Sequence, residues 1–278
     1  MSLSLSLSFD ALSRVDGSAR FGFGLYPQFL TSLSGPIEVR LAAEQPSQTT
    51  IEVNVRPLTN VPGTESKKFG VILKEVMQRQ VIMEANPRTL IQFVVQALVP
   101  LRSNSKHTLN SDEIMAAMIN CCTLSLLNAG SVPMRGVICA VSVARVIQVD
   151  KAFKYVVQPG DPNQASSCVA VGCFAFLFSE PEPKLSSEPS SASSPCVWTN
   201  WRFLRPGHAD SSSGDESETA ARKIWERMKM LVEERENLKT APALSLKNAS
   251  SSRSKANEAN DAMVVENEDE DDDVKMEI

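Results

Sequence analysis

The stretch EIMAAMINCCTLSLL, residues 113–127, constrains the fold more than any other part of the chain. It reads as a helix from about Ser111 to Ala129, stopped by Gly130 at the position where a terminal glycine ends a helix. A surface helix keeps a polar face, but here apolar residues occupy most of the circumference. Such a helix has to be buried, so the chain must supply other elements around it. A second segment, NPRTLIQFVVQAL from Asn86 to Leu98, supplies one of them. Its residues Thr89–Leu98 read as a strand whose nearly continuous apolar run predicts cover on both faces. Arg88 at its entrance has three readings: it grips an anion, pins the turn, or belongs to a subunit contact.

The remaining elements follow from period and punctuation. FLTSLSG, IEVRL and TIEVNVRPL, broken by Gly-Pro and Gln-Pro, read as consecutive antiparallel strands. After Pro62-Gly63 a helix capped by Thr64 carries Phe69, Ile72, Leu73, Val76 and Met77 at helical spacing, and Asn86-Pro87 closes it. Beyond the buried helix, GVICAVSVARVIQV, YVVQ, CVAVGCFAFLF and CVWTNWRFL read as strands. Asp215, with Glu218 three residues later, opens a last helix with its stripe at Ile224, Met228, Leu231, Val232 and Leu238. Strands, helix, strand, helix, strands and helix make one α+β domain with a mixed sheet, without regular βαβ alternation. Its expected span is 13–239, after a low-complexity extension over 1–12. Ser179–Pro195, rich in Ser and Pro, is expected as a flexible insertion, and 240–278 as a disordered acidic tail.

Charge and cysteine content exclude several classes. The net charge is −5, yet ten of the 33 acids and only four of the 28 bases fall after Thr240. The body is therefore close to neutral, unlike an autonomous nucleic-acid binder, although a local basic patch is compatible with it. Six cysteines in 278 residues make no disulfide framework, and two histidines with no C-x-x-C give no zinc spacing. Cys121, Cys122, Cys139, Cys168 and Cys173 lie in apolar runs and read as reduced core thiols, while Cys196 gives no separate signal. No apolar run reaches membrane-spanning length, and SLSLSLSF is a poor signal peptide; an intracellular protein is the expectation.

RVDGSARFGFG, SLSGPIEVR, NPRTLIQFVVQAL and NCCTLSLLNAGSVPMRG occur in this order. Together they resemble the RNase PH-like ring subunits of the eukaryotic RNA exosome, and within that group the ribosomal RNA-processing protein 46 branch. Residues 10–178 carry the likeness well, the final strand and helix loosely. The resemblance implies a ribosomal protein S5 domain 2-like α+β fold. It also implies a heterodimer within a hexameric ring of such subunits, S1/KH cap subunits above the ring, and RNA passing through its channel. The nucleus, nucleolus and cytoplasm are the implied locations, and no membrane or cofactor is called for. In this picture Arg88 fixes the strand entrance by bonding backbone carbonyls or a carboxylate.

Active relatives cleave RNA by phosphorolysis, which needs a phosphate-gripping loop of the Gly-Gly-Thr-Arg kind before the second helix and an acid pair on a nearby strand. The loop here reads RSNSKHTLNSDEI. It places Asp112 and Glu113 where they favour the helix dipole but repel a phosphate, with Lys106 and His107 as the only substitutes for the arginine. Ser166, Ser167 and Cys168 stand about where the acid pair belongs, and Asp161 sits in a Pro-Gly-Asp-Pro turn. No catalytic or metal residue is therefore expected, and the protein is read as no enzyme. The RNA-contact candidates are Lys67, Lys68, Lys74, Arg79, Arg88 and Lys106; Glu75 falls near a position where relatives carry an arginine. The hairpin GFGLYPQFL also departs from the family's Gly-x-Thr turn and is about one residue longer.

Overall fold

A computed structural model describes residues 4–9, 12–58, 61–100, 109–147, 153–157, 168–179, 194–204 and 217–234. The chain divides into Met1–Leu231 and Val232–Ile278; of the second unit, only 232–234 are described, as helix. The elements of the first are β1 (Leu5–Phe9), β2 (Gly17–Phe23), β3 (Phe29–Glu38), β4 (Thr50–Arg56), α1 (Thr64–Gln80) and β5 (Thr89–Ala97). Then follow α2 (Leu109–Ala129), β6 (Val137–Ile147), β7 (Phe153–Val157), β8 (Cys168–Phe178) and β9 (Cys196–Phe203), and a last helix, α3, over 217–231. The expected α+β class holds.

Two sheets form, in the orders β1-β2-β3-β5-β4 and β7-β6-β8-β9. Helix α2 lies between them, packed on β2 and β3 of the first and on β6 and β8 of the second. That position explains its sequence: a helix with a sheet on either side has no face left for water. Its few polar side chains are satisfied inside. Asn120 both donates to the Ala140 carbonyl at 2.8 Å and accepts from the Ala140 amide at 2.7 Å. Thr123 donates to Gln80 of α1, whose amide in turn reaches the Gly136 carbonyl. The second sheet is covered on its other side by α3, where Trp225 stacks on Phe178 and Met228 meets Cys139. Double cover is why β6 and β8 are buried along nearly their whole lengths.

The recurrent motifs of the sequence meet at one end of α2. Gly17 lies so close to the helix that a Cβ there would stand 2.3 Å from the Ser125 carbonyl oxygen. Asn128 donates to the Ser18 carbonyl, and the Asp16 carboxylate accepts from the Gly35 amide at 2.8 Å. Ser131 then donates to the Gly35 carbonyl. Aspartate, glycine, serine and asparagine at these positions are thus the parts of one knot tying β2 and β3 to the C-terminal end of α2.

Four expectations are corrected. Leu5–Phe9, read as part of an N-terminal extension, is β1, and it pairs with β2 along its full length. Gly35-Pro36 does not separate two strands; β3 runs through it with a bulge between Ser34 and Ile37. β4 is not an antiparallel neighbour of β3 but pairs in parallel with β5, so β4, α1 and β5 form one crossover unit. Finally, β5 is fully covered on one face only. Ile91, Phe93, Val95 and Ala97 are buried, while Gln92, Val94 and Gln96 are half-buried on the other face. The insertion (all but Ser179, Ser194 and Pro195), the acidic tail and Asp215 lie outside the described residues.

Candidate functional site

The start of α2 is where the family's chemistry would be placed, and the described helix opens at Leu109 with Asp112 in its first turn. Asp112 is 1% exposed. Two residues of β9 face it, because alternate residues of a strand share a side. Arg202 donates through Nη2 to Oδ2 at 2.6 Å, and Asn200 donates through Nδ2 to Oδ1 at 3.1 Å. Burial raises the Asp112 pKa above the ordinary carboxylate value, against the opposing pull of the Arg202 charge and hydrogen bond, the Asn200 hydrogen bond and the Lys68 charge. Glu113 is half-buried and also raised by desolvation, opposed by a hydrogen bond from Gln28. The acid of the first turn is thus tied to a guanidinium of the chain itself.

The sequence signal for this contact was Asn200-x-Arg202, two polar residues sharing one face of an aromatic strand, and it was missed. Burial pushes the Cys121 thiol up to about 12 and that of Cys139 further still. Cys168, at the start of β8, is buried and donates to the Ala170 carbonyl. Cys121 and Cys139 are therefore poor nucleophiles, since the thiolate is the reactive form. Cys196 is exposed. Among the described residues no three His, Cys, Asp or Glu side chains converge as a metal would require.

The four candidate bases of α1 are all exposed. They do not form one patch. At about 100° per residue Lys67 and Lys74 share one flank of the helix, and Lys68 and Arg79 the opposite one. Lys68 is close enough to α2 to act on Asp112. Arg79 pairs with Glu75 at 3.1 Å, both half-exposed, so the acid at an expected arginine position offsets the base one turn on. Arg88 stands apart from all of them, at the β5 entrance. It has φ +60°, its amide donates to the Gln45 carbonyl at 3.2 Å, and its Nε lies 3.5 Å from the Glu44 carboxylate. The side chain is 70% exposed there. Lys106, His107, Asp161, Ser166 and Ser167 lie outside the described residues.

The altered hairpin after β2 turns at Gly24, φ +105°, and folds back over Gly22, where a Cβ would stand 2.3 Å from the Tyr26 carbonyl oxygen. Leu25 and Tyr26 at its tip are exposed.

Residues 3–131 match the model of the 3′ exoribonuclease family, domain 1, the RNase PH domain. The chain is similar to "Exosome complex component rrp46" of Schizosaccharomyces pombe, 29% identical over 131 residues, 47% of this chain and 53% of that protein. It is also similar to "Exosome complex exonuclease RRP46 homolog" of Oryza sativa, 26% identical over 169 residues, 56% of this chain and 66% of the relative. The chain therefore spans between about half and two thirds of the length of these curated relatives. The crystal structure of rice Rrp46 superimposes with a TM-score of 0.60 at 19% identity, covering 84% of this chain and 96% of the rice chain. The fold is RNase PH-like.

Proposed function

We propose that this chain, an RNase PH-like protein related to the Rrp46 exosome components, is a non-catalytic subunit of an exosome ring. It supports 3′→5′ RNA processing and decay by assembly and by forming part of the RNA channel. The observation that carries the non-catalytic reading is the closure of Asp112 on Arg202 and Asn200. Phosphorolysis needs a free cation and free donors at the start of α2 to hold the attacking phosphate. Here the guanidinium that reaches this point is already neutralised by an internal carboxylate, and a second acid, Glu113, adjoins it. The sequence likeness aligns Cys168, a buried residue that donates to the Ala170 carbonyl, with the region where active members carry an acid.

In this reading the neighbours are other RNase PH-like ring subunits with S1/KH caps above, and the complex works in the nucleus, nucleolus and cytoplasm. RNA contact falls to Lys68 and Arg79 on the α2 side of α1, with Arg88 and Lys106 as further candidates and Lys67 and Lys74 on the other flank. The proposed domain spans 13–239 together with β1, and the proposed tail begins at 240.

The test is incubation of the purified chain with single-stranded RNA, phosphate and Mg²⁺. No nucleoside diphosphate is the expected result; release that disappears on Lys106→Ala or Asp161→Asn would overturn it. The second reading, a phosphate-dependent exoribonuclease acting alone, is favoured by the word exonuclease in the rice relative's name. The same assay decides between them.

A further inference from the structure

Among the described residues β4 ends the first sheet on one side, paired only with β5. Beside it runs a groove of about 470 Å³, walled by Ile51–Arg56 and, across from them, by Ser66, Lys67, Gly70, Val71 and Lys74 of α1. Six consecutive residues of a strand cannot all line one space through their side chains, since these alternate between faces. The groove therefore follows the edge of β4, where backbone N–H and C=O groups have no strand beside them among the described residues. Gly70 lets α1 approach: a Cβ there would stand 3.1 Å from the Val53 carbonyl oxygen. Val71 on the opposite wall is 69% exposed, and Leu58 and Val61, in the connection leaving β4, are 51% and 79% exposed. A seven-residue edge that pairs with no other described strand and has apolar side chains around it is a feature that proteins normally blunt or cover.

We propose that this groove binds an extended peptide segment of another protein, alternating apolar and acidic residues, which adds to β4 as a further strand. The reasons for that occupant are the edge and the charge. A strand edge presents donors and acceptors in alternation, and a peptide supplies both complements. A nucleic-acid backbone supplies phosphate acceptors only and would leave the β4 carbonyls unanswered. Around the groove Arg56, Lys67 and Lys74 outnumber Glu52. The excess of positive charge attracts acids and disfavours a second copy of the same edge, which would bring like charges together. Val71 and Val53 then receive the apolar positions of the incoming strand. Lys67 and Lys74 become peptide-binding residues, and the RNA contact rests on the other flank of α1. This site is independent of whether the chain is catalytic.

The probe is a fluorescent octapeptide of alternating valine and glutamate, titrated by anisotropy into the full-length protein; controls are its valine–lysine counterpart and oligouridylate. The acidic peptide should bind, slow amide exchange in residues 51–56, and bind about tenfold more weakly to Lys67→Glu/Lys74→Glu and to Val71→Lys. Val71 is exposed, so its variant should fold, and a melting curve checks each protein. Lys223→Glu, at an exposed position of α3, should leave the affinity unchanged. Absence of binding at millimolar peptide would overturn the proposal, as would equal binding of the lysine peptide or protection mapped elsewhere. Binding of oligouridylate lost in Lys67→Glu/Lys74→Glu would overturn it in favour of an RNA groove.

Discussion

Arg202→Ala is expected to be among the most costly single changes on β9. It removes the guanidinium from a carboxylate that is 1% exposed and held at 2.6 Å, leaving only the Asn200 amide. Stripping one partner from a fully buried pair costs about 3–5 kcal/mol. The Arg202 side chain is one third exposed, so water softens the loss and about 2–3 kcal/mol is the appropriate range. Asp112→Asn should cost less, about 1 kcal/mol, since the asparagine keeps an acceptor and Arg202 can turn to solvent. The double variant should then be less destabilised than the sum, with a coupling of about 1–2 kcal/mol. Urea unfolding followed by tryptophan fluorescence suits the site, because Trp201 adjoins Arg202 in β9.

The pH dependence supplies an independent check. The folded Asp112 pKa is raised above the ordinary 3.8, so the folded protein holds that proton more firmly than the unfolded chain does. Its stabilising contribution is full below the unfolded value and is lost as pH rises through the folded one. Arg202→Ala removes the largest influence that lowers this pKa and moves the window upward. The stability gap between wild type and Arg202→Ala should therefore narrow as the pH is lowered from neutral toward the ordinary carboxylate range. A gap that widens on acidification, or a coupling below about 0.5 kcal/mol, would refute the reasoning.

Further outcomes are expected elsewhere in the chain. Val95→Asp should unfold the protein or lower its stability by several kcal/mol, because Val95 is fully buried against the helix layer. Val94→Asp, on the half-buried face of the same strand, should cost about 1 kcal/mol; equal effects in thermal melts would contradict the register. Arg88→Gly should stay within about 1 kcal/mol of wild type, since relief of φ +60° offsets the exposed Glu44 pair and the added chain freedom. Arg88→Val at the same φ should cost about 2 kcal/mol, and the reverse order in Tm would show that the side chain, not the turn, is what matters. Gly172→Ala should disrupt β9, as its Cβ would lie 2.5 Å from the Asn200 carbonyl oxygen, and it should lower Tm together with the Trp201 fluorescence change.

Elements with a strong period were legible in the sequence. The all-round apolar helix, the two long buried strands β6 and β8 and the motif order led to the α+β fold and to the RNase PH likeness. Long-range pairing was not legible. Nothing local says that β4 passes over β3 to lie parallel to β5, because both partners of a parallel pair read as apolar runs whichever neighbour they take. The strand β1 looked like low complexity because alternating Ser and Leu is a half-buried edge pattern written with two letters. Cover on both faces of β5 was expected for a related reason: VV in the middle of a strand gives no phase. At the candidate site Asp112 was singled out, but its partners lie some ninety residues away in CVWTNWRFL, read only as a strand.

The position of α2 between two sheets bears on how this protein can be divided. The family match ends at residue 131, just past the helix, and so takes in one sheet and the helix but not the second sheet. Cut there, the fragment would turn Asn120, which bonds Ala140 of β6, and the side chains around it outward to water. A segment that evolution treats as a recognisable module is, in thermodynamic terms, half of a cooperative unit: each sheet holds α2 only because the other one does. Truncations that stop at the end of α2 should therefore give aggregates instead of a smaller folded domain, and losses of stability in β6 or β8 should be felt at β2.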